Sequence, residues 1–381
     1  MTADRLSSVK EYYFSAKLRE VAALVQSGRP IINMGIGSPD LPPHPAVVAA
    51  LQKGLSHPKA HMYQSYQGLP ELRNAMVGFY QKHYQVDLDP KGEVLPLMGS
   101  KEGIMHISMA FLNKGDQVLI PNPGYPTYSS VTRLMEAEPL FYPLTADRNW
   151  QPDFEALEAM DTRAVKLMWL NYPHMPTGAQ AQRQTFERLI AWAKERAVLL
   201  INDNPYSFIL NERPQSILSV PGAKEVALEL NSLSKAFNMA GWRVGMLSGK
   251  KSTLQSVLKV KSNMDSGMFY GVQQGAIAAL QVESDWFDKL NAVYRQRRQA
   301  VEQLATALET EFDPHAVGMF LWAKLPETAP SAETVIDQFL HENDLFVAPG
   351  TIFGSQGAGY IRFSLCLTEE KIQEALNRIR S

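Results

Sequence analysis

Cysteine is almost missing from the 381-residue chain: Cys366 is the only one. No intrachain disulfide framework is possible, and a reducing compartment fits the composition. No charge of one sign dominates either. Thirty-seven Lys and Arg face 39 Asp and Glu, for a net charge of −2, so no basic field recommends nucleic acid or an anionic membrane as a partner. No apolar run approaches the roughly 18 residues of a membrane-spanning helix. The opening MTADRLSSVKEYY lacks the basic-then-apolar pattern of a signal peptide. Together these absences predict a cytoplasmic protein.

Two familiar motifs are incomplete. Gly35-Ile36-Gly37 begins like a dinucleotide fingerprint, but its third glycine is absent and prolines follow at once. His57 and His61 stand four apart, yet Pro58 lies between them and no H-E-x-x-H occurs, so no metal site is expected. What is present is the make-up of a globular protein, 45% hydrophobic and 20% charged. The length suggests roughly two or three domains.

Along the chain, apolar residues at helical spacing predict a helix over 8–27 and others starting near Pro45 and Pro70. The stretch EVLPLMGSKEGIMHISMAFLNKG reads as a strand, a small-polar turn and a helix, whose free N–H groups near Ser100 and Lys101 would suit a phosphate. Strands follow at 117–120, 164–170, 197–202 and 226–230, with helices at 126–135 and 183–196. That alternation implies a mostly parallel sheet covered on both faces. After about residue 275 the rhythm stops. A helical stretch over 272–310, broken near Asp285, leads to GMFLWAKL, a helix near 331–342, GYIRFSLC and a terminal helix from 368, which suggests a second, α+β domain.

The stretch NSLSKAFNMAGWRVG, residues 231–245, carries the chemistry. Lys235 follows a strand end between small hydroxyl residues, with Arg243 eight positions on. Polar residues gather at the other strand ends too, namely Tyr125, Asn171, Asp203 and Tyr206, and open α/β sheets place ligands at such ends. An amine beside an anion site suits a Schiff-base cofactor with a phosphate. Ser232-Leu233-Ser234-Lys235 also satisfies the S-x-x-K of penicillin-recognising enzymes, but their S-D-N and K-T-G elements are absent. A solvated lysine in a polar loop is the plain alternative.

These segments, with GIGSPD, YQSYQGLPELR, PNPGYPTY, NYPHMPTG, NDNPY and GYIRFS in order around the lysine, resemble the class I/II aminotransferases, pyridoxal-phosphate enzymes of fold type I. The resemblance covers almost the whole chain. It implies an α/β large domain over 46–275 with a mostly parallel seven-stranded sheet covered by helices. It also implies a smaller α+β domain built from 1–45 and 276–381. In that reading Lys235 holds pyridoxal 5′-phosphate covalently and moves the substrate proton. Asp203 pairs with the pyridine nitrogen, Tyr206 donates to the ring oxygen, and Tyr125 stacks on the ring. Ser100, Lys101, Ser232, Ser234 and Arg243 hold the phosphate, joined by Tyr63 from a neighbouring subunit, so a homodimer with shared active sites is implied. Arg362 clamps the substrate carboxylate near Gly37.

The chain departs from the family pattern at Met175, where an asparagine is usual; a thioether cannot donate to the ring oxygen, so Tyr206 alone, His174 or a water is expected to serve there. Met268, Phe269 and Tyr270 stand where dicarboxylate-specific members carry an arginine, which favours apolar or mixed substrates. Tyr12, Tyr13 and Phe14 are expected to cover the pocket or to pack a helix. The reaction expected is transfer of an amino group from an L-amino acid to a 2-oxo acid, with glutamate and 2-oxoglutarate as one pair. A Cβ lyase on the same fold and a catalytically impaired regulatory protein are the alternatives.

Overall fold

The computed structural model describes residues 2–9, 13–283 and 285–380. Its centre is a seven-stranded sheet in the order Val94–Leu97, Gly245–Gly249, Ala227–Ser232, Leu199–Asp203, Val165–Leu170, Gln117–Asn122, Glu138–Pro143. Six strands run parallel to one another and only Gly245–Gly249 is reversed. Alternate side chains reach opposite faces. Leu167 and Trp169 join a core with Ile104, Ile107 and Val131 of the helices Ser100–Phe111 and Thr127–Leu134. Met168 and Leu170 join the larger core on the other face, with Phe186, Leu189 and Ile190 of the helix Arg183–Arg196. With both faces covered, the central strands Ala227–Ser232 and Gly245–Gly249 are buried at every position.

A second sheet of four antiparallel strands is ordered Ala348–Pro349, Tyr360–Ser364, Phe320–Lys324, Glu311–Phe312. The long helix Asp285–Ala307 and the terminal helix Glu369–Arg380 pack on each other beside it. Ile32–Asn33 pairs in parallel with Leu345–Phe346. Residues from near the start of the chain therefore lie against its last third, and Ser364 N donates to Met34 O at 2.8 Å.

Several boundaries differ from the sequence reading. The first helix runs Tyr13–Gln26, preceded by a short 3₁₀ turn at Asp4–Ser8. The helical stretch expected over 272–310 and broken near Asp285 is two helices, Tyr270–Leu280 and Asp285–Ala307, the second starting at the expected break and the pair ending three residues early. The edge strand Glu138–Pro143 has no counterpart in the prediction. Its prolines at 139 and 143 mimic a loop, and an edge tolerates them because one side of the strand needs no partner. The helix Lys251–Lys261 was likewise not anticipated.

His57 and His61 do not face a shared ligand position. The first stacks on Tyr270 with ring centroids 4.5 Å apart, and the second lies 6.0 Å from Phe269. Tyr12 and the Tyr13 side chain lie outside the described residues.

Candidate active site

The C-terminal ends of the parallel strands converge on a cavity of about 420 Å³. Every site residue expected from the sequence lines it except Tyr63. Tyr63 is 91% exposed and turned away from its own chain's cavity.

Lys235 is set by the turn that follows the strand Ala227–Ser232. Ser232 Oγ accepts from Ser234 N at 3.1 Å, Leu233 N reaches Val244 O, and Asn238 N closes back on Lys235 O. Leu233 and Ala236 are buried on either side, which leaves the lysine stem directed into the cavity. Its Nζ donates to Gly37 O at 2.6 Å. Burial lowers its pKa to about 8, and the nearby Arg362 and Arg243 push the same way against Asp203 and Cys366.

Asp203 is the last residue of its strand and 5% exposed. Its Oδ2 accepts from Tyr128 OH at 2.8 Å, while Oδ1 is buried without a hydrogen-bond partner among the described residues. Burial raises its pKa to about 6, partly offset by Tyr128 and Lys235. Tyr128 is itself fully buried and stacks on Trp169 at 4.8 Å. Asn171 Nδ2 donates to Asp203 O at 2.6 Å, and its Oδ1 accepts from Met175 N. Tyr206 lies below the lysine, with Nζ 5.9 Å from the ring centre.

At the other end, Gly99 with φ +90° turns the chain into the helix Ser100–Phe111, whose start has no side-chain cap. A Cβ at Gly99 would sit 2.2 Å from Arg243 Nη2. The guanidinium therefore lies against the helix N-terminus. Arg243 is held by Ala240 O at 2.8 Å, with Ser234 Oγ at 3.4 Å. A helix start, two serines and an arginine form an anion cradle.

Arg362 projects from the small sheet with its Cζ 3.9 Å from the Phe320 ring centre and 4.6 Å from that of Phe353. Nη2 donates to Gly35 O at 2.7 Å, and Nη1 lies 3.3 Å from Met175 Sδ. The thioether thus rests on the guanidinium. His174 does not take the missing asparagine's place. Its ring nitrogens lie 2.8 Å from Thr177 Oγ1 and 3.1 Å from Pro123 O, away from the cavity lining, and burial lowers its pKa to about 3.

Sequence reasoning gave no role to Asn171, Tyr128, Phe320 or Phe353. Tyr128 had a signal, standing three residues after Tyr125 at the start of the helix Thr127–Leu134, and Phe320 lies on the apolar strand of GMFLWAKL. Asn171 and Phe353 carry no local sign of their partners.

The family model "Aminotransferase class I and II" matches residues 29–379. The chain belongs to this family. The LL-diaminopimelate aminotransferase of Aquifex aeolicus is 39% identical over 381 residues, 100% of this chain and 98% of the relative. That of Dehalococcoides mccartyi is 37% identical over 377 residues, 98% of this chain and 97% of the relative. Among solved structures, substrate-bound BacF from Bacillus subtilis superposes with a TM-score of 0.95 at 33% identity, covering 100% of this chain and 97% of that one. The Thermotoga maritima aspartate aminotransferase does so at 0.91 and 26%, covering 99% and 98%. The chain is a pyridoxal-phosphate-dependent aminotransferase with the α/β fold of that family.

The residues present fit the cofactor. A carboxylate oxygen without a partner among the described residues suits a ring N–H, the cradle suits a phosphate dianion, and a half-buried amine of lowered pKa suits a carbonyl carbon.

Two outcomes are expected. Gly99→Ala displaces Arg243 and strains the turn, weakening cofactor binding by roughly ten- to a hundredfold, about 1.4–2.8 kcal/mol; titrating apoprotein with cofactor measures it. For Asp203, a carboxyl raised from 3.8 to about 6 favours folding fully below about pH 4 and loses that advantage as pH rises through 6. Cofactor-free Asp203→Asn is therefore more stable than cofactor-free wild type above pH 6, by at most about 3 kcal/mol. The gap shrinks toward pH 4, as urea unfolding at several pH values will show.

Proposed function

We propose that this enzyme moves the α-amino group of an L-amino acid to a 2-oxo acid, with glutamate and 2-oxoglutarate as one pair. The observation carrying the reading is that one short loop holds two cations at the cavity: Gly35 O accepts from Arg362 and Gly37 O from Lys235. A substrate amine and its carboxylate are both provided for.

In this reading pyridoxal phosphate, when bound, draws electrons from the substrate Cα and so makes its C–H acidic. Lys235 Nζ would hold the cofactor covalently and, when free, would carry the proton to and from Cα; its pKa of about 8 keeps a useful neutral fraction near neutral pH. Asp203 Oδ1 would accept from the ring N–H, while Tyr128 holds Oδ2 in place. Tyr206 would donate to the ring oxygen, and Tyr125 would pack on the ring. Ser100, Lys101, Ser232, Ser234 and Arg243 would bind the phosphate. Arg362 binds the α-carboxylate through paired N–H donors, flattened between Phe320 and Phe353.

Phe14, Leu18 and Ile36 line the cavity too, which supports a donor with a long, apolar stem. The diaminopimelate named for the relatives belongs in the test panel. Tyr63, Met62 and Met264 are exposed, which supports a homodimer in which Tyr63 enters the partner's phosphate site. A division between residues 46–275 and the two chain ends is part of the same reading, supported by the separate sheets. No described helix is long and apolar enough to cross a membrane, and the single cysteine supports the cytoplasm.

Mixing holoenzyme with single amino acids tests the reaction. Its yellow absorption is expected to convert to the pyridoxamine form and to return with 2-oxoglutarate. Pyruvate and ammonia formed without an acceptor would sink the reading in favour of a lyase, and no change with any donor would sink it outright. Met175→Asn restores a donor beside the ring oxygen. The pKa of the bound cofactor's visible band should then fall by about one unit, the scale of one hydrogen bond to a charged group. An unchanged spectrophotometric titration would contradict the role given to this position.

A further inference from the structure

The loop that presents Gly35 O and Gly37 O to the two cations packs both glycines closely: a Cβ at Gly35 would meet the Phe346 ring at 2.6 Å and one at Gly37 the Phe320 ring at 2.2 Å. Just beyond, the loop ends at Asp40, and Asp40 is gripped from behind. Arg297 Nη1 and Nη2 donate to its two carboxylate oxygens at 2.7 and 2.8 Å. Arg297 is 2% exposed and also donates to Leu365 O at 3.2 Å and to Glu369 at 3.2 Å. Leu365 lies three residues after Arg362. One buried guanidinium therefore ties the loop in front of the carboxylate clamp to the strand that carries it.

The helix bearing Arg297 does the same for the cofactor side. Trp286 Nε1 donates to Ala236 O at 2.9 Å, one residue past Lys235. Asn291 pairs with Phe208 O and Leu210 N, just after Tyr206. Three side chains on Asp285–Ala307 thus fix three separate site segments, and none of the three lines the cavity.

We propose that Arg297 and Asp40 are positioning residues for the substrate carboxylate: their two-pronged ion pair sets the Gly35–Gly37 loop, and through it the direction in which Arg362 offers its N–H groups. The loop also touches Lys235 through Gly37 O; the positioning of the substrate carboxylate is the part that runs through Gly35 O to Arg362. Asp40 is 29% exposed at its side chain while Arg297 is 2%. Removing the carboxylate charge leaves the buried guanidinium with a weaker partner, whereas shortening the guanidinium leaves a carboxylate that water can reach. Both changes loosen the loop. A charge-assisted bidentate pair owes its strength to fixed geometry, which lysine cannot reproduce, so Arg297→Lys is expected to fall between wild type and Asp40→Asn.

The inference rests on the reading of Arg362 as the carboxylate clamp, and the experiment separates the two. Holoenzymes of wild type, Asp40→Asn and Arg297→Lys are compared with an L-amino acid and with the amine lacking its carboxylate. The Kd of the α-methyl analogue, which has no proton to lose, is read from the cofactor's absorption. Wild type should prefer the amino acid strongly; no preference would overturn the clamp itself. With that preference present, Asp40→Asn should raise KM for the amino acid and the Kd of the analogue roughly tenfold, about 1.4 kcal/mol. Its kcat should change less than about threefold, and turnover of the amine should stay as in wild type. Equal losses on amine and amino acid, or no loss on either, would overturn the positioning role. Should Asp40→Asn fail to fold, Arg297→Lys decides by the same comparison.

Discussion

The site depends on the poor solvation of one amine. Lys235 is half-buried in the cavity, where its ammonium form loses much of its hydration, so a side chain that normally titrates near 10.5 does so at about 8. The neighbours follow from that condition. Arg362 and Arg243 disfavour a third positive charge, and Asp203 tempers them. Burial then asks something of Asp203 too: desolvation lets it hold its proton to about pH 6 even though Tyr128 donates to one oxygen and Lys235 lies near, and the other oxygen has no partner among the described residues. A buried polar atom left unsatisfied is costly, and the ring nitrogen of the family's cofactor would remove that cost.

The sheet makes this arrangement possible. Parallel strands deliver Tyr125, Asn171, Asp203 and Lys235 to one edge, although more than a hundred residues separate the first from the last. The reversed strand Gly245–Gly249 brings Arg243 to the same edge from the opposite direction. Arg243 itself takes up the left-handed conformation at φ +56°.

Much of this was legible in the order of residues. The alternation of strands and helices gave the sheet, and the short motifs around Lys235 named eleven side chains or backbones that line one cavity. What stayed hidden has a common cause. Phe353, and the bonds that Asn171 and Tyr128 make to Asp203, depend on partners far away in sequence, so nothing beside these residues declares them. His174 misled for the converse reason: it stands next to Met175 in sequence, but its ring is bonded to Thr177 and Pro123 on the far side of the backbone. The Glu138–Pro143 strand was obscured because prolines are tolerated at a sheet edge.

The parallel pairing of Ile32–Asn33 with Leu345–Phe346 has a consequence for how the molecule is made. A chain growing from its N-terminus can assemble the large sheet once residue 249 has emerged, but the loop carrying Gly35 and Gly37 has no strand to lie on until about a hundred residues later. Domains form in order of synthesis at roughly 5–20 residues per second, so the loop waits several seconds beside an open, apolar mouth. The pairing of residues 32–33 with 345–346 closes that side of the cavity late, so this wall is among the last parts of the fold to form.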